Sequence, residues 1–418
     1  MCKKKIIYII CLIFYLIIVF VTEIFYRDKL YEFSVKYEKK IKQEGFLHYF
    51  YFFWSYIFIY GMLLIGAIIV MLLYPINIFF CYITIIITLI FTMCLLKSIY
   101  INSRPYWNIF YDIYKEINNY NNLDKFPTEC DGGFGNPSGH SLMSTSFLCL
   151  WYLFINSNPI KKLKKNLQIF IKCIFLFITI VCILSVTFSR IHRQIHSFNQ
   201  IIFGTLLGIS VFFTFCFIIE FDKIKPDDFI NTLDRYKYFI IPILLILFSI
   251  SVILGYTRHN KDEADYQKVL KIYCKYRKEQ IFGINTAYHS GVIFIIIGGY
   301  LGLLFLKYKI SKIYLINEYI FYYWNKGPIL KTLKIALFSF ALPVIPLIII
   351  FMTPYELFAL KFVFEVLLYF WYGFASMGIC FYYGCLFFTN ENIYKQNYYF
   401  QKCIRFNILN NEKKIIIK

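Results

Sequence analysis

The stretch Cys130-Asp-Gly-Gly-Phe-Gly-Asn-Pro-Ser-Gly-His140 decides how the chain is read, because it is polar and glycine-rich yet runs directly into an apolar helix. Ser138 and Gly139 then fall where a helix's first free N–H groups point outward, and that is an anion site. The glycines upstream allow a sharp turn and a close approach of backbone to ligand. His140 adds a group that gives or takes a proton near neutral pH.

Outward from this loop the sequence is overwhelmingly apolar. Of 418 residues, 59% are hydrophobic, 22% aromatic and only 16% charged, which excludes an ordinary soluble domain. The apolar runs reach about 18 to 22 residues, enough to cross a ~30 Å hydrocarbon core as helices. The expected fold is therefore all-α, a polytopic transmembrane helical bundle of about 10 spans. These spans cover 6–25, 49–73, 76–96, 140–154, 167–188, 200–219, 239–256, 290–306, 335–352 and 360–388. The first is read as a retained signal anchor rather than a cleaved signal, since it is long and lacks a small-x-small site. The expected organisation is a signal-anchor span and luminal segment (1–48), a membrane core that carries this loop (49–220), C-terminal membrane helices (221–390) and a cytoplasmic tail (391–418).

The net charge of +20 would suggest nucleic acid in a soluble protein, but the lysines flank apolar spans, so the lipid bilayer is the expected partner and nucleic acid is not. The cluster Lys161, Lys162, Lys164 and Lys165 reads as cytoplasmic. Thirteen cysteines without a CxxC pair, most of them inside spans, give no zinc site.

This topology gathers Lys97, Arg104, His140, Arg190 and His196 at helix ends or loops on the far side of the membrane, from three separate regions of chain. Two arginines, a lysine and helix-start N–H groups suit the three oxygens of a phosphate dianion. Two histidines would complete a reaction, one as nucleophile and one protonating the leaving oxygen. His192 and Arg193, inside the same segment, are expected to face water or headgroups, and Tyr106 and Trp107 to sit in the interfacial aromatic belt.

Lys97-x6-Arg104-Pro105, Pro137-Ser138-Gly139-His140 and Ser189-Arg190-x5-His196 together resemble the three-part signature of the type 2 phosphatidic acid phosphatase and vanadium haloperoxidase superfamily. The resemblance implies that His196 attacks phosphorus and forms a phosphohistidine, and that His140 protonates the leaving alkoxide. Lys97, Arg104, Arg190, Ser138 and the Gly139 amide would hold the phosphate, with no metal and no cofactor. Within the superfamily the chain is most similar to glucose-6-phosphatase catalytic subunits. Arg104-Pro-Tyr-Trp107 follows their pattern, as does Cys130 before a glycine-containing lead-in. So does Gln200, an amide orienting the nucleophile where lipid phosphate phosphatases carry an aspartate. Tyr273-Cys274 and Ile284-Asn285-Thr286-Ala287 extend the likeness, although Asn285 stands where that family has an aspartate, and the first span is an addition to its nine-span layout.

The implied activity is hydrolysis of a sugar phosphate, glucose 6-phosphate, in the lumen of the endoplasmic reticulum, with room for a sugar-phosphate transporter as partner. A lipid phosphate is the alternative substrate, and a non-enzymatic transporter the reading from a different class. Cys130 and Cys274, the cysteines most clearly in far-side loops, are expected to form a disulfide.

Overall fold

The structure is a computed structural model and describes residues 2–38, 40–41, 46–54, 59–74, 76–109, 133–221, 226–257, 289–311, 329–352 and 358–388. Every regular element among them is helical. In lipid no water satisfies backbone N–H and C=O groups, so even runs rich in isoleucine and phenylalanine close their hydrogen bonds within helices. Among the described residues, seven helices are long and apolar enough to cross a membrane, and three shorter apolar helices cover Leu63–Leu73, Gly139–Ile155 and Ser290–Leu306.

The elements that position the site are α1 (Cys2–Glu38), α2 (Phe46–Phe52), α3 (Ile59–Leu73), α4 (Ile76–Tyr100), α5 (Gly139–Ser144), α6 (Ser146–Ile155), α7 (Lys165–His192) and α8 (Phe198–Phe221). Behind them stand α9 (Pro226–Thr257), α10 (Phe294–Ser311), α11 (Ile329–Phe340), α12 (Phe358–Phe374) and α13 (Cys380–Phe388). The α1 and α8 helices lie along one another, and α5 is wedged among α4, α7 and α8. A large apolar core, with Phe80, Tyr82, Leu303, Leu306, Ile335 and Phe381 fully enclosed, joins α4 to the C-terminal helices.

Several boundaries differ from the expected spans for identifiable reasons. The first helix continues past Phe25 through the mixed-charge segment to Glu38, because Ser34 and Glu38 are buried against the bundle while Arg27 and Asp28 pair at 3.2 Å on its exposed side. The fourth span is two helices that meet at Thr145, whose hydroxyl donates to the Leu142 carbonyl at 2.6 Å. Pro343 and Pro346 turn Leu342–Leu347 into a 3-10 segment, since proline offers no backbone donor to an α-helix. A π-helical stretch, Ala375–Ile379, lies between α12 and α13, where Gly378 meets the backbone of Gly302 on α10. A side chain at either glycine would hold these helices apart, and small residues allow such close crossing in a membrane.

Candidate functional site

The C-terminal end of α7 is shaped to turn the chain back on itself. Arg193 N–H donates to the Ser189 carbonyl (3.2 Å), Gln194 N–H to Ile191 (2.9 Å) and Ile195 N–H to Arg190 (3.1 Å), which satisfies the helix's last carbonyls. Gln194 takes a left-handed backbone, φ 59°, so the next residues double back beneath the helix end. Two residues on, His196 is enclosed, 1% exposed, at the start of α8.

One side chain fixes the orientation of that imidazole. Gln200 Nε2 donates to the Ser103 carbonyl at 2.9 Å, which leaves Oε1 facing the histidine. Ser197 N–H also donates to Oε1 (3.3 Å), so this oxygen is an acceptor and His196 Nδ1, 3.2 Å away, must carry the proton. The lone pair is therefore on Nε2, and Arg104 Nη1 points at it from 3.4 Å. Arg104 is itself held rigidly: Nε donates to the Gly133 carbonyl at 2.6 Å, Nη2 to Phe134 at 3.5 Å, and Nη1 also reaches Ile195 O at 3.4 Å.

Electrostatics follow from this enclosure. Burial first, and then the charges of Arg104, Arg190 and Lys97, hold the His196 imidazole well below the usual histidine range, against a smaller upward pull from Gln200. Arg190 and Lys97 reach the site from the last turns of α7 and α4, where a helix's negative end favours a cation. Both are buried, at 1% and 8% exposure. Three cations around a neutral imidazole make a setting that suits an anion.

The loop 133–140 forms the other wall. Gly135 N–H donates to the Asn102 carbonyl (2.8 Å) and Ser138 N–H to the Gln200 carbonyl (2.9 Å), which ties this loop to both remaining segments. A Cβ at Gly135 would collide with the Gln200 amide, and one at Gly204 would lie 2.7 Å from the Ser138 carbonyl oxygen, so α8 can approach this closely only because both are glycine. Ser141 Oγ donates to Ser138 Oγ at 3.0 Å. Gly139 opens α5, and His140 is half-buried beside it.

Arg104, Ser138, Gly139, Arg190, His196, Gln200 and Lys97 thus converge from three separated segments. Cys130 and Cys274, together with Asn285 and its neighbours, lie outside the described residues. Two expectations are corrected. Arg193 does not face water but is 2% exposed, because the tight turn at Gln194 folds it into the bundle, while His192 packs on the Tyr51 ring at 4.5 Å. Tyr106 and Trp107 are not interfacial: both are buried, with Trp107 against Phe134 at 6.3 Å, where they wall the loop that holds Arg104.

Sequence reasoning missed Asn136, Asn199 and Glu23. Asn136 Nδ2 donates to Glu23 Oε1 at 2.7 Å, and Asn199 Nδ2 reaches the same oxygen at 3.4 Å. A signal existed, since Glu23 is the one charged residue between Lys5 and Arg27, and an ionisable group inside an apolar span seldom stands there without a partner.

Residues 78–225 match the PAP2 superfamily. The chain is 29% identical over 162 residues to bovine (Bos taurus) glucose-6-phosphatase catalytic subunit 1, covering 38% of this chain and 42% of that one. Mouse (Mus musculus) glucose-6-phosphatase 2 is 32% identical over 126 residues, covering 28% of this chain and 33% of its own length. The human (Homo sapiens) glucose-6-phosphatase 2 is 30% identical over 130 residues, with 28% and 33% covered. The chain therefore spans only about two fifths of the length of these curated relatives, or less. No solved structure matches.

Proposed function

We propose that this chain, a PAP2 superfamily protein by its residues 78–225, is an integral-membrane phosphatase that hydrolyses a phosphate monoester through a phosphohistidine. The observation that carries this reading is the state of His196: buried, neutral, protonated on Nδ1 by the demand of Gln200, and presenting a lone pair on Nε2 beside Arg104. A nucleophile needs that lone pair, and an ordinary solvent-exposed histidine is partly protonated at neutral pH.

In the first step His196 Nε2 forms a bond to phosphorus as the bond to the leaving oxygen breaks. Arg104, Arg190 and Lys97 neutralise the equatorial oxygens, supported by the Ser138 hydroxyl and the Gly139 amide. His140, next to Gly139 in the first turn of α5, gives its proton to the departing alkoxide. In the second step a water attacks the phosphohistidine, His140 takes the water's proton, and inorganic phosphate leaves with His196 neutral again.

For the substrate we propose glucose 6-phosphate, on the strength of the relatives' names and of Gln200 as the partner of His196. The membrane we assign is the endoplasmic reticulum, with the site on the luminal side. What supports this sidedness is α7, whose 28 residues separate the cluster Lys161–Lys165 at one end from Arg190 at the other. The catalytic unit we assign is 49–220, with 1–48 preceding it, 221–390 behind it and 391–418 as tail. Phosphate release from glucose 6-phosphate by the purified protein, with His196→Ala beside it, tests this function. Turnover of phosphatidate or a sphingoid phosphate with none of hexose phosphates would transfer the assignment to a lipid substrate.

A further inference from the structure

Helix α1 lies outside the matched segment 78–225, yet it makes polar contacts with all three segments that build the site. Tyr31 hydroxyl shares a hydrogen bond with Ser103 Oγ at 2.8 Å and accepts from Asn108 Nδ2 at 2.9 Å, on either side of Arg104. Phe198 N–H donates to Ser34 Oγ at 2.8 Å, and Gln194 Nε2 to the Glu38 carbonyl at 2.6 Å, on either side of His196. Between these contacts Glu23, 6% exposed, offers Oε1 to the amides of both Asn136 and Asn199.

We infer that Glu23 is a positioning residue for the two histidines. Asn136 lies four residues before His140, and Asn199 lies three after His196 and next to Gln200. One carboxylate oxygen therefore joins the loop carrying the proposed proton donor to the turn carrying the proposed nucleophile. The joint is stiff on each side: Asn136 is fully buried, and Asn199 Oδ1 accepts from Ser197 Oγ at 2.6 Å, so neither asparagine has a free rotation to spare. Removing Oε1 strands two buried amide donors, which relieve themselves by moving the backbone segments that hold the histidines. Displacements of about 1 Å in a catalytic pair lower turnover by about 10²-fold. Loss of an outer residue that orients a first-contact group lowers function by about 10–100-fold.

This inference rests on the phosphatase reading for its kinetic test, and a binding measurement separates the two. Full-length protein in detergent or vesicles is compared as wild type, Glu23→Ala and Glu23→Gln, for kcat and KM with glucose 6-phosphate and for affinity for orthovanadate. Glu23→Gln keeps an oxygen that accepts from both asparagines, so it is expected to retain kcat within about threefold, whereas Glu23→Ala loses about 10–100-fold in kcat with a smaller rise in KM. Orthovanadate should bind the Ala variant about tenfold more weakly than the other two. Equal kcat in wild type and Glu23→Ala, or a Gln variant as impaired as Ala, overturns the inference. So does a loss that only matches the fraction unfolded by size exclusion and thermal melting. If the wild type binds orthovanadate but turns over no ester, the phosphatase reading falls. Glu23 is then judged by the three vanadate affinities, where equal values overturn the inference and a weakened Ala variant upholds it.

Discussion

Replacing Gln200 by glutamate tests the electrostatic state of His196 without changing the size of its partner. The glutamate's Oε1 would lie where the amide oxygen now accepts from Nδ1, at 3.2 Å. Unit charges about 4 Å apart interact by about 4 kcal/mol at an effective dielectric of ~20, which is about three pKa units. The second oxygen would replace an amide donor that now serves the Ser103 carbonyl at 2.9 Å, and that oxygen–oxygen contact opposes ionisation of the new carboxyl. The net expectation is a rise of about one to three units in the His196 pKa. A nucleophilic imidazole must be neutral, so activity falls as pH drops through its pKa, and a raised pKa moves that fall to higher pH. In the wild type, burial and the three cations keep this pKa low, so His196 should not limit kcat/KM until well below the usual histidine range. The assay is kcat/KM for phosphate release between about pH 4 and 9, which reports groups of the free enzyme. An acid limb that superimposes on the wild type's, in a variant folded to the same extent, would refute the assignment of His196 as a neutral nucleophile oriented by Gln200.

Two further substitutions probe other parts of the cup. Arg104→Lys keeps the charge but cannot donate at once to Gly133 and Phe134 and toward His196, so kcat/KM should fall by about 10²-fold or more while the protein still folds; near-normal kinetics would remove Arg104 from the phosphate site. Gly204→Ala places a methyl 2.7 Å from the Ser138 carbonyl oxygen and should destabilise the fold by about 1–3 kcal/mol and impair activity, whereas Gly61→Ala, with no atom within 4 Å, should melt like the wild type; indistinguishable melting of all three proteins would contradict the close packing of α8 on the loop.

How much of this was legible in the sequence depends on what fixed each feature. Lys97, Arg104, Arg190 and His196 could be read together because their motifs resemble a known three-part signature and because two arginines and a lysine suit a phosphate dianion, and the structure sets those three cations around the His196 ring. The long apolar helices were legible because lipid leaves the backbone no alternative. The breaks were not: Thr145, the 3-10 segment and the π stretch depend on single side-chain hydrogen bonds, prolines and helix contacts rather than on hydropathy. Arg193, Tyr106 and Trp107 were misplaced because composition near a span end cannot distinguish a residue facing headgroups from one that a tight turn folds inward. Glu23 stood in plain view, but its partners lie 113 and 176 residues away, and no local pattern connects them.

The most direct measurement of the central claim is where the phosphoryl group goes. Full-length protein mixed with labelled glucose 6-phosphate and quenched under alkaline denaturing conditions, which preserve phosphohistidine, should carry the label on His196 and on no other residue. It should carry none after His196→Ala, and it should retain the label longer after His140→Ala. Phosphate release at wild-type rate with no labelled protein, or a label on any residue other than His196, would contradict it.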